Sequence, residues 1–482
     1  MRPSFIPISK YFSDLCTYWP RKKLLGNPNG WLSAAQVFRS VQGIAQQLNH
    51  AGVTVGSCVA LRMERNTEAV LILLALRLIG AIAVLTEPHT EPEMCLAACT
   101  DSVPVDAVIT HCEESWLLRR GGKSVLRLCL DAECSKERPV ALNEDAQAPG
   151  YVIFTSGSTG KTKAVVLSDY NLINNLVEAQ PLGDYQENDI ALGALPLDHV
   201  FGLVLLLGTL VLGYSLYLPE HTEISSLLTA IEKERITRMN GVPSLYLAMA
   251  EQKDGYDLQS LRVGFLGGAP TTPDQFQRME DALGMTLVSA YGMSECIGIT
   301  CSDAREPSSI RGSGVGRFYS LNTGMILKED GTAASAGEIG EVCVNGPTRM
   351  WGYWGRKMAE DELLHTGDLG YLDESGILHL TGRKKELIIR NGRNLSPKKI
   401  EDAILSLPGV RAAAVVGLPD VQTGEAPYAM VCGSVDWEAL KLLLPKNELP
   451  AGILYSDRIP MTASGKPDKM QIREVLEKWK NG

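Results

Sequence analysis

From Cys58 to Gly292 the sequence alternates short apolar runs with longer stretches of helical spacing, and this alternation constrains the fold more than any other feature. The runs CVALRM, AIAVL, AVIT, YVIFT, KAVVLS, DIALGAL, ITRMNGV, LRVGFLG and TLVSAYG read as strands. WLSAAQVFRSVQGIAQQLNHAGV, ending at Gly52, and TEAVLILLALRLIG carry the apolar period of helices. Strand–helix alternation of this kind predicts layered α/β structure with largely parallel sheets. Beyond Ser320 the pattern becomes short strands with glycine turns, as in GEIGEVCVNG and GYLDESGILHLTG, which predicts antiparallel β structure in a small barrel or subdomain. After Arg383 the segment KKELIIRNGRNLSPKKIEDAILSLPGVRAAAVVGLPD reads strand, turn, helix, strand. A boundary at Lys384–Lys385 therefore divides the chain into a large domain, 1–384, and a small α+β domain, 385–482.

A chain of 482 residues exceeds one hydrophobic core and suits two or three. Its net charge of -10 argues against nucleic-acid binding, which needs a basic footprint. The start lacks a secretory pattern, and the 11 cysteines show neither a C-x-x-C pair nor a repeated spacing, so a reduced, cytoplasmic protein is expected. Two apolar runs need a membrane reading. Val70–Leu85 is broken by Arg77 and Gly80 and reads as a buried helix followed by a buried strand. Val200–Leu218 is uncharged, yet Gly202, Gly208 and Gly213 interrupt it and YSLYL suits a strand, so helix, glycine cap and strand are expected.

The sharpest local signal is YVIFTSGSTGKTKAVVLS, residues 151–168. A loop rich in glycine and hydroxyls between two strands can turn backbone N–H groups and Ser/Thr side chains toward phosphate, with lysine adding charge. It is not a P-loop: the first glycine of G-x-x-x-x-G-K-[ST] would fall on Thr155.

With this loop the sequence resembles the adenylate-forming superfamily of acyl- and aryl-CoA synthetases, peptide-synthetase adenylation domains and luciferases. TSGSTGKTK is similar to that family's phosphate loop, with Thr162 where proline is usual and Ala164 where glycine is usual. The resemblance makes Thr155, Ser156, Gly157, Ser158, Thr159, Gly160 and Lys163 nucleotide contacts. LPLDHVFGL (195–203) resembles the family's P-x-x-H-x-x-G, which puts His199 between the acyl pocket and ATP. FLGGAP (265–270) looks like the turn along the adenine, giving Gly267, Gly268, Ala269 and Pro270. SAYGMSE (289–295) resembles the family's adenine element. It contributes Ala290, Gly292, Met293 and Ser294, with Tyr291 stacked on the base and Glu295 reaching Mg²⁺. LHTGDLG (364–370) brings Asp368 to the ribose, as does Arg383 in TGRKKELIIRNGRNLSPKKIE. In that last segment the resemblance makes Lys385 the hinge and places Gly392 on the tunnel for the thiol arm. IPMTASGKPDKMQIREVL (459–476) matches the family's carboxy-terminal catalytic lysine at Lys466, with Pro460 and Thr462 also matching.

The resemblance implies ATP- and Mg²⁺-dependent activation of a carboxylic acid as acyl-AMP. Transfer to coenzyme A would follow, or transfer to the phosphopantetheine of a carrier protein. Amino-acid-activating relatives carry an aspartate in an F-D-x-S setting. Here Asp198 directly precedes His199, so a fatty, aryl or other non-amino acid is favoured, with pocket candidates at His199, Asn240–Val242, Gly267 and Ala290. A non-catalytic paralogue that binds nucleotide or acyl chains is the reading from another class. Joint retention of Glu295, Asp368, Arg383 and Lys466 argues against it.

Overall fold

A computed structural model describes residues 2–97, 103–112, 115–130, 140–156, 162–461 and 467–481. Among these, two nine-stranded sheets form the frame of the large amino-terminal part. In one, the strands Thr286–Met293, Val263–Leu266, Arg238–Gly241, Ile190–Leu192, Ser215–Tyr217 and Lys23–Asn27 run parallel, and antiparallel strands flank them on both edges. In the other, Pro149–Ser156, Ile82–Thr86, Cys58–Arg62 and Ala107–Cys112 form the parallel centre. Apart from Lys23–Asn27, which the sequence pattern did not single out, these are the alternating apolar runs of the sequence, folded as the alternation predicts.

Both long apolar segments are core helices. Thr67–Ile79 is buried along its length, capped by Asn66 and stopped by Gly80 at φ +84°, after which Ile82–Thr86 enters the sheet. Its charge is accommodated: the wholly buried Arg77 pairs with Asp169 at 3.3 Å and lies 4.9 Å from the centre of the Tyr151 ring. A Cβ on Gly150 would come within 2.8 Å of that guanidinium, so a side chain there would have to displace the buried ion pair. Val200–Val211 spans only 12 residues before Gly213 turns the chain, at φ +79°, into Ser215–Tyr217. That is about 18 Å of helix, well short of a bilayer. No helix of the described residues is long and apolar enough to cross a membrane.

The expected first helix begins later than its sequence pattern suggests. Trp31–Ser33 belongs to a hairpin, Lys23–Asn27 with Gly30–Ser33, and the helix runs Ala34–His50. Ser33 accepts from the Gln36 amide while the Gln36 side chain accepts from the Ser33 amide, a capping box that overrides the apolar period before it. The antiparallel region expected as a barrel or subdomain is a four-stranded sheet in the order Thr323–Leu327, Gly340–Asn345, Leu364–Leu372, Leu378–Arg383. Its outer strands do not pair with each other, so it stays open. Beyond the short 3-10 turn Lys384–Glu386, a five-stranded sheet packs with the helices Pro397–Leu405 and Lys469–Asn481 around two small cores of its own.

Candidate active site

Three motifs meet at one carboxylate, two from neighbouring strands and one from 77 residues upstream. Asp368 and Arg383 face each other across adjacent antiparallel strands, and the Arg383 Nε donates to Asp368 Oδ1 at 2.8 Å. From the parallel sheet, the Tyr291 hydroxyl donates to Asp368 Oδ2 at 2.7 Å. Burial, reinforced by the Asp368 charge, pushes the Tyr291 phenol well above its ordinary pKa and keeps it a donor. Asp368 is 6% exposed and Tyr291 is buried, while Arg383 keeps half its side chain in solvent, so the carboxylate sits at a seam between two sheets with its arginine at the mouth. Each carboxylate oxygen has a second lone-pair direction available for a ligand hydroxyl.

Glu295 is positioned by a tight hairpin. Met293 pairs with Cys296, so Ser294 and Glu295 form the two-residue turn between Thr286–Met293 and Cys296–Cys301. A Cβ on Gly292 would stand 2.1 Å from the Ile297 carbonyl, and only glycine lets this turn close. The Tyr353 hydroxyl lies 3.0 Å from Glu295 Oε1 and donates to it. On its other side the Tyr353 ring receives the Lys163 ammonium, 4.7 Å from the ring centre. Burial, and then the Glu295 charge, raise the Tyr353 phenol, which holds its proton for this bond. Lys163, Tyr353 and Glu295 thus form a continuous bracket between the two large sheets. Tyr353 was not among the residues the motifs single out. Its local signal was the aromatic run Trp351–Trp354, which has the look of a strand edge; its partners come from segments almost 60 and 190 residues upstream.

The glycine-rich loop is the connection of a hairpin. Thr155 pairs with Lys163 and Ser156 with Thr162, and Phe154 with Ala164. Gly157, Ser158, Thr159 and Gly160 lie outside the described residues, as do Lys466 and Thr462. On either side of the segment carrying Lys466, Met461 and Pro467 form an antiparallel bridge.

Of the acyl-pocket candidates, Asn240–Val242, Gly267 and Ala290 lie together at the turn 265–270. A Cβ on Gly267 would lie 2.9 Å from the Ala290 carbonyl and 3.7 Å from the Phe201 ring. The Gly267 amide donates to the Gly241 carbonyl at 3.2 Å, bringing Asn240–Val242 alongside. Gly268 has φ +83°, which opens the turn before Thr272 caps the helix Pro273–Leu283. Ala269 and Pro270 complete that turn. His199 is the N-cap residue of Val200–Val211, two positions before Phe201, and makes no side-chain capping bond. Neighbouring Asp198 is buried with Oδ1 unpartnered among the described residues, and burial raises its pKa. Lys385 lies in the exposed 3-10 turn two residues past Arg383. Gly392, φ +72°, follows Asn391, φ +52°, in the two-residue turn between Ile388–Arg390 and Arg393–Leu395.

The AMP-binding enzyme model matches residues 12–354, and the model of the AMP-binding enzyme C-terminal domain matches 399–466. The chain belongs to the AMP-binding enzyme family. It is 31% identical over 482 residues to a feruloyl-CoA synthase of Amycolatopsis sp, covering 94% of this chain and 98% of that one. It is 28% identical over 454 residues to a 2-succinylbenzoate–CoA ligase of Bacillus anthracis (strain A0248), covering 92% and 93%. Among solved structures, the O-succinylbenzoate coenzyme A synthetase of Bacillus subtilis in complex with ATP and magnesium ion superposes with a TM-score of 0.81 at 26% identity, over 97% of this chain and 99% of that one.

Proposed function

We propose that this family member is an AMP-forming acid–thiol ligase that joins a non-amino carboxylic acid to coenzyme A through an acyl-adenylate. The observation that carries the reading is the meeting of Tyr291, Asp368 and Arg383 at one buried carboxylate, an aromatic ring and a fixed acceptor pair that suit one nucleoside. The Asp368 oxygens accept the ribose hydroxyls, and Arg383 holds the carboxylate in place. The Tyr291 ring, pinned by its own hydroxyl, offers a face to the adenine.

The substrate carboxylate is ionised at neutral pH and needs no general base. Its oxygen attacks the α-phosphorus of ATP, the bond to the bridging oxygen breaks, and pyrophosphate leaves with the electron pair. The chain's work is to orient two anions and offset charge on the phosphoryl group. The 155–163 loop and Lys163 face the phosphates, and Lys466 approaches from the carboxy-terminal domain. Glu295 fits a hard divalent cation: it is a partly buried carboxylate with one oxygen fixed by Tyr353. Bound Mg²⁺ there would neutralise phosphate charge. His199 separates the acyl pocket from the nucleotide. In the second step a thiolate attacks the acyl carbonyl and AMP departs.

Acceptor delivery rests on the division at 384/385, supported by the gap between the two family matches and by the short turn Lys384–Glu386. The carboxy-terminal domain pivots at Lys385, Lys466 withdraws, and the loop of Gly392 comes to line the thiol tunnel. Coenzyme A is favoured as acceptor because the relatives named above are CoA ligases, and their aromatic acids favour an aryl acid here.

Acid-dependent pyrophosphate release, run with cinnamate-type, benzoate-type, fatty and amino acids, tests the reading. Turnover with one class, rising with coenzyme A and lost in Lys466→Ala, is expected. A single adenylate burst that coenzyme A fails to discharge would replace coenzyme A by a carrier protein. Nucleotide binding without pyrophosphate release from any acid would favour the non-catalytic paralogue.

A further inference from the structure

On the four-stranded sheet, three side chains of metal-ligand type converge at the strands Gly340–Asn345 and Leu364–Leu372. Glu341 and Cys343 are two apart on the strand Gly340–Asn345, which places them on one face, and His365 stands directly across from Cys343 on the neighbouring strand. The Cys343 Sγ and His365 Nδ1 are 3.4 Å apart, and the same nitrogen is 3.2 Å from Glu341 Oε2. Their ligand atoms all lie within 4.8 Å of one another.

We propose that Glu341, Cys343 and His365 form a binding site for a zinc-class divalent cation. Zinc bonds of about 2.0–2.1 Å to N or O and about 2.3 Å to S, at tetrahedral angles, separate neighbouring ligand atoms by about 3.3–3.6 Å. The 3.4 Å between Cys343 Sγ and His365 Nδ1 lies at that spacing, and the 3.2 Å between His365 Nδ1 and Glu341 Oε2 falls just short of it. His365 has 57% of its side chain exposed, so the cation has an entry path and water can complete a fourth position. The carboxylate is already oriented, because the Gly367 amide donates to Glu341 Oε1 at 3.1 Å. A thiol, an imidazole and a carboxylate select zinc, cobalt or a similar ion over magnesium, so this site does not compete for the Mg²⁺ of ATP.

Two features oppose the cation and make the site tunable. Burial, with the Glu341 charge adding to it, pushes the Cys343 thiol up to about 11, and a metal–sulfur bond must expel that proton. The Lys384 ammonium lies 3.2 Å from Glu341 Oε2, the oxygen that would meet the metal. Cation and Lys384 therefore compete for one carboxylate oxygen. Lys384 is next to Lys385, so an occupied site removes an ion pair beside the segment proposed to pivot.

Titration of chelator-treated, nucleotide-free protein with Co²⁺ tests the proposal through the near-ultraviolet thiolate-to-cobalt absorption. One equivalent is expected to produce the band, and Zn²⁺ is expected to abolish it. Cys343→Ser should remove the band. His365→Ala, at an exposed position whose loss spares the core, should weaken Co²⁺ binding about tenfold or more. Lys384→Ala should tighten it about 1.5- to 5-fold, the worth of an exposed ion pair. Absence of the band in the intact protein, its survival in Cys343→Ser, or unchanged affinity in a folded His365→Ala would each overturn the assignment.

Discussion

Removing one oxygen atom from Tyr353 isolates the bracket between Lys163 and Glu295. Tyr353→Phe deletes the 3.0 Å hydrogen bond to Glu295 Oε1 and keeps the ring on which Lys163 rests. A hydrogen bond to a charged group contributes about 1.5–3 kcal/mol. At about 1.4 kcal/mol per decade that corresponds to roughly 12- to 140-fold in rate. Tyr353 and Glu295 are both half-buried, and water can partly replace the lost donor, so the low end applies: about tenfold. The assay is initial-rate pyrophosphate release, with Mg²⁺ varied at fixed ATP and ATP varied at saturating Mg²⁺. A freed Glu295 should raise the Mg²⁺ concentration for half-maximal rate, while the KM for the acid stays put. Tyr353→Ala also removes the ring beneath Lys163 and should cost a further two- to fivefold, from a cation–π contact of about 0.5–1 kcal/mol. Wild-type rates and an unshifted Mg²⁺ dependence in Tyr353→Phe would refute the bracket and leave Tyr353 as packing.

Asp368→Asn keeps the volume but replaces the charge that binds Tyr291 and Arg383. It should lower kcat/KM for ATP about 10²-fold, mainly through KM, and steady-state kinetics with varied ATP checks this. Lys385→Pro should spare adenylate formation and slow thioester formation at least tenfold, because proline fixes a dihedral that must change. Separate assays of the two half-reactions decide it, and equal losses in both would count against the pivot. Asp189 is held below its ordinary pKa: burial alone would raise it, but the Gln186 amide and Arg238, with Arg262 and Thr237, more than offset that. A depressed carboxylate contributes stability that is complete above the unfolded pKa near ~3.9 and is lost as pH falls through the folded value. Thermal unfolding from pH 7 down to pH 2 should show that loss below about pH 4, and Asp189→Asn should flatten this limb. At pH 7 the variant should lose about 3 kcal/mol, since its partner Arg238 is only 1% exposed.

The fold class was legible because both signals behind it are local. Apolar period and glycine punctuation placed the buried helix Thr67–Ile79 with its stop at Gly80, and the helix–glycine–strand passage from Val200 to Tyr217. The same local reasoning misplaced the start of Ala34–His50, because Trp31 and Leu32 fit the helical period yet are claimed by a hairpin partner. It left open whether the antiparallel region would be a barrel or a subdomain, since closure depends on pairing between strands distant in sequence; the outer strands do not pair and the sheet is open.

By itself the sequence determined the order of motifs, hence the family, and the chemistry each residue type can perform. What only the tertiary structure decided is which of those residues hold one another. Asp368 meets Arg383 because a particular register sets them opposite, and meets Tyr291 because two sheets abut. Tyr353 joins Lys163 to Glu295 from a position no motif singles out, and Glu341, Cys343 and His365 gather through strand alternation across a sheet. Register and sheet packing follow from the burial of whole faces, a property summed over many residues, so no short stretch of sequence carries them.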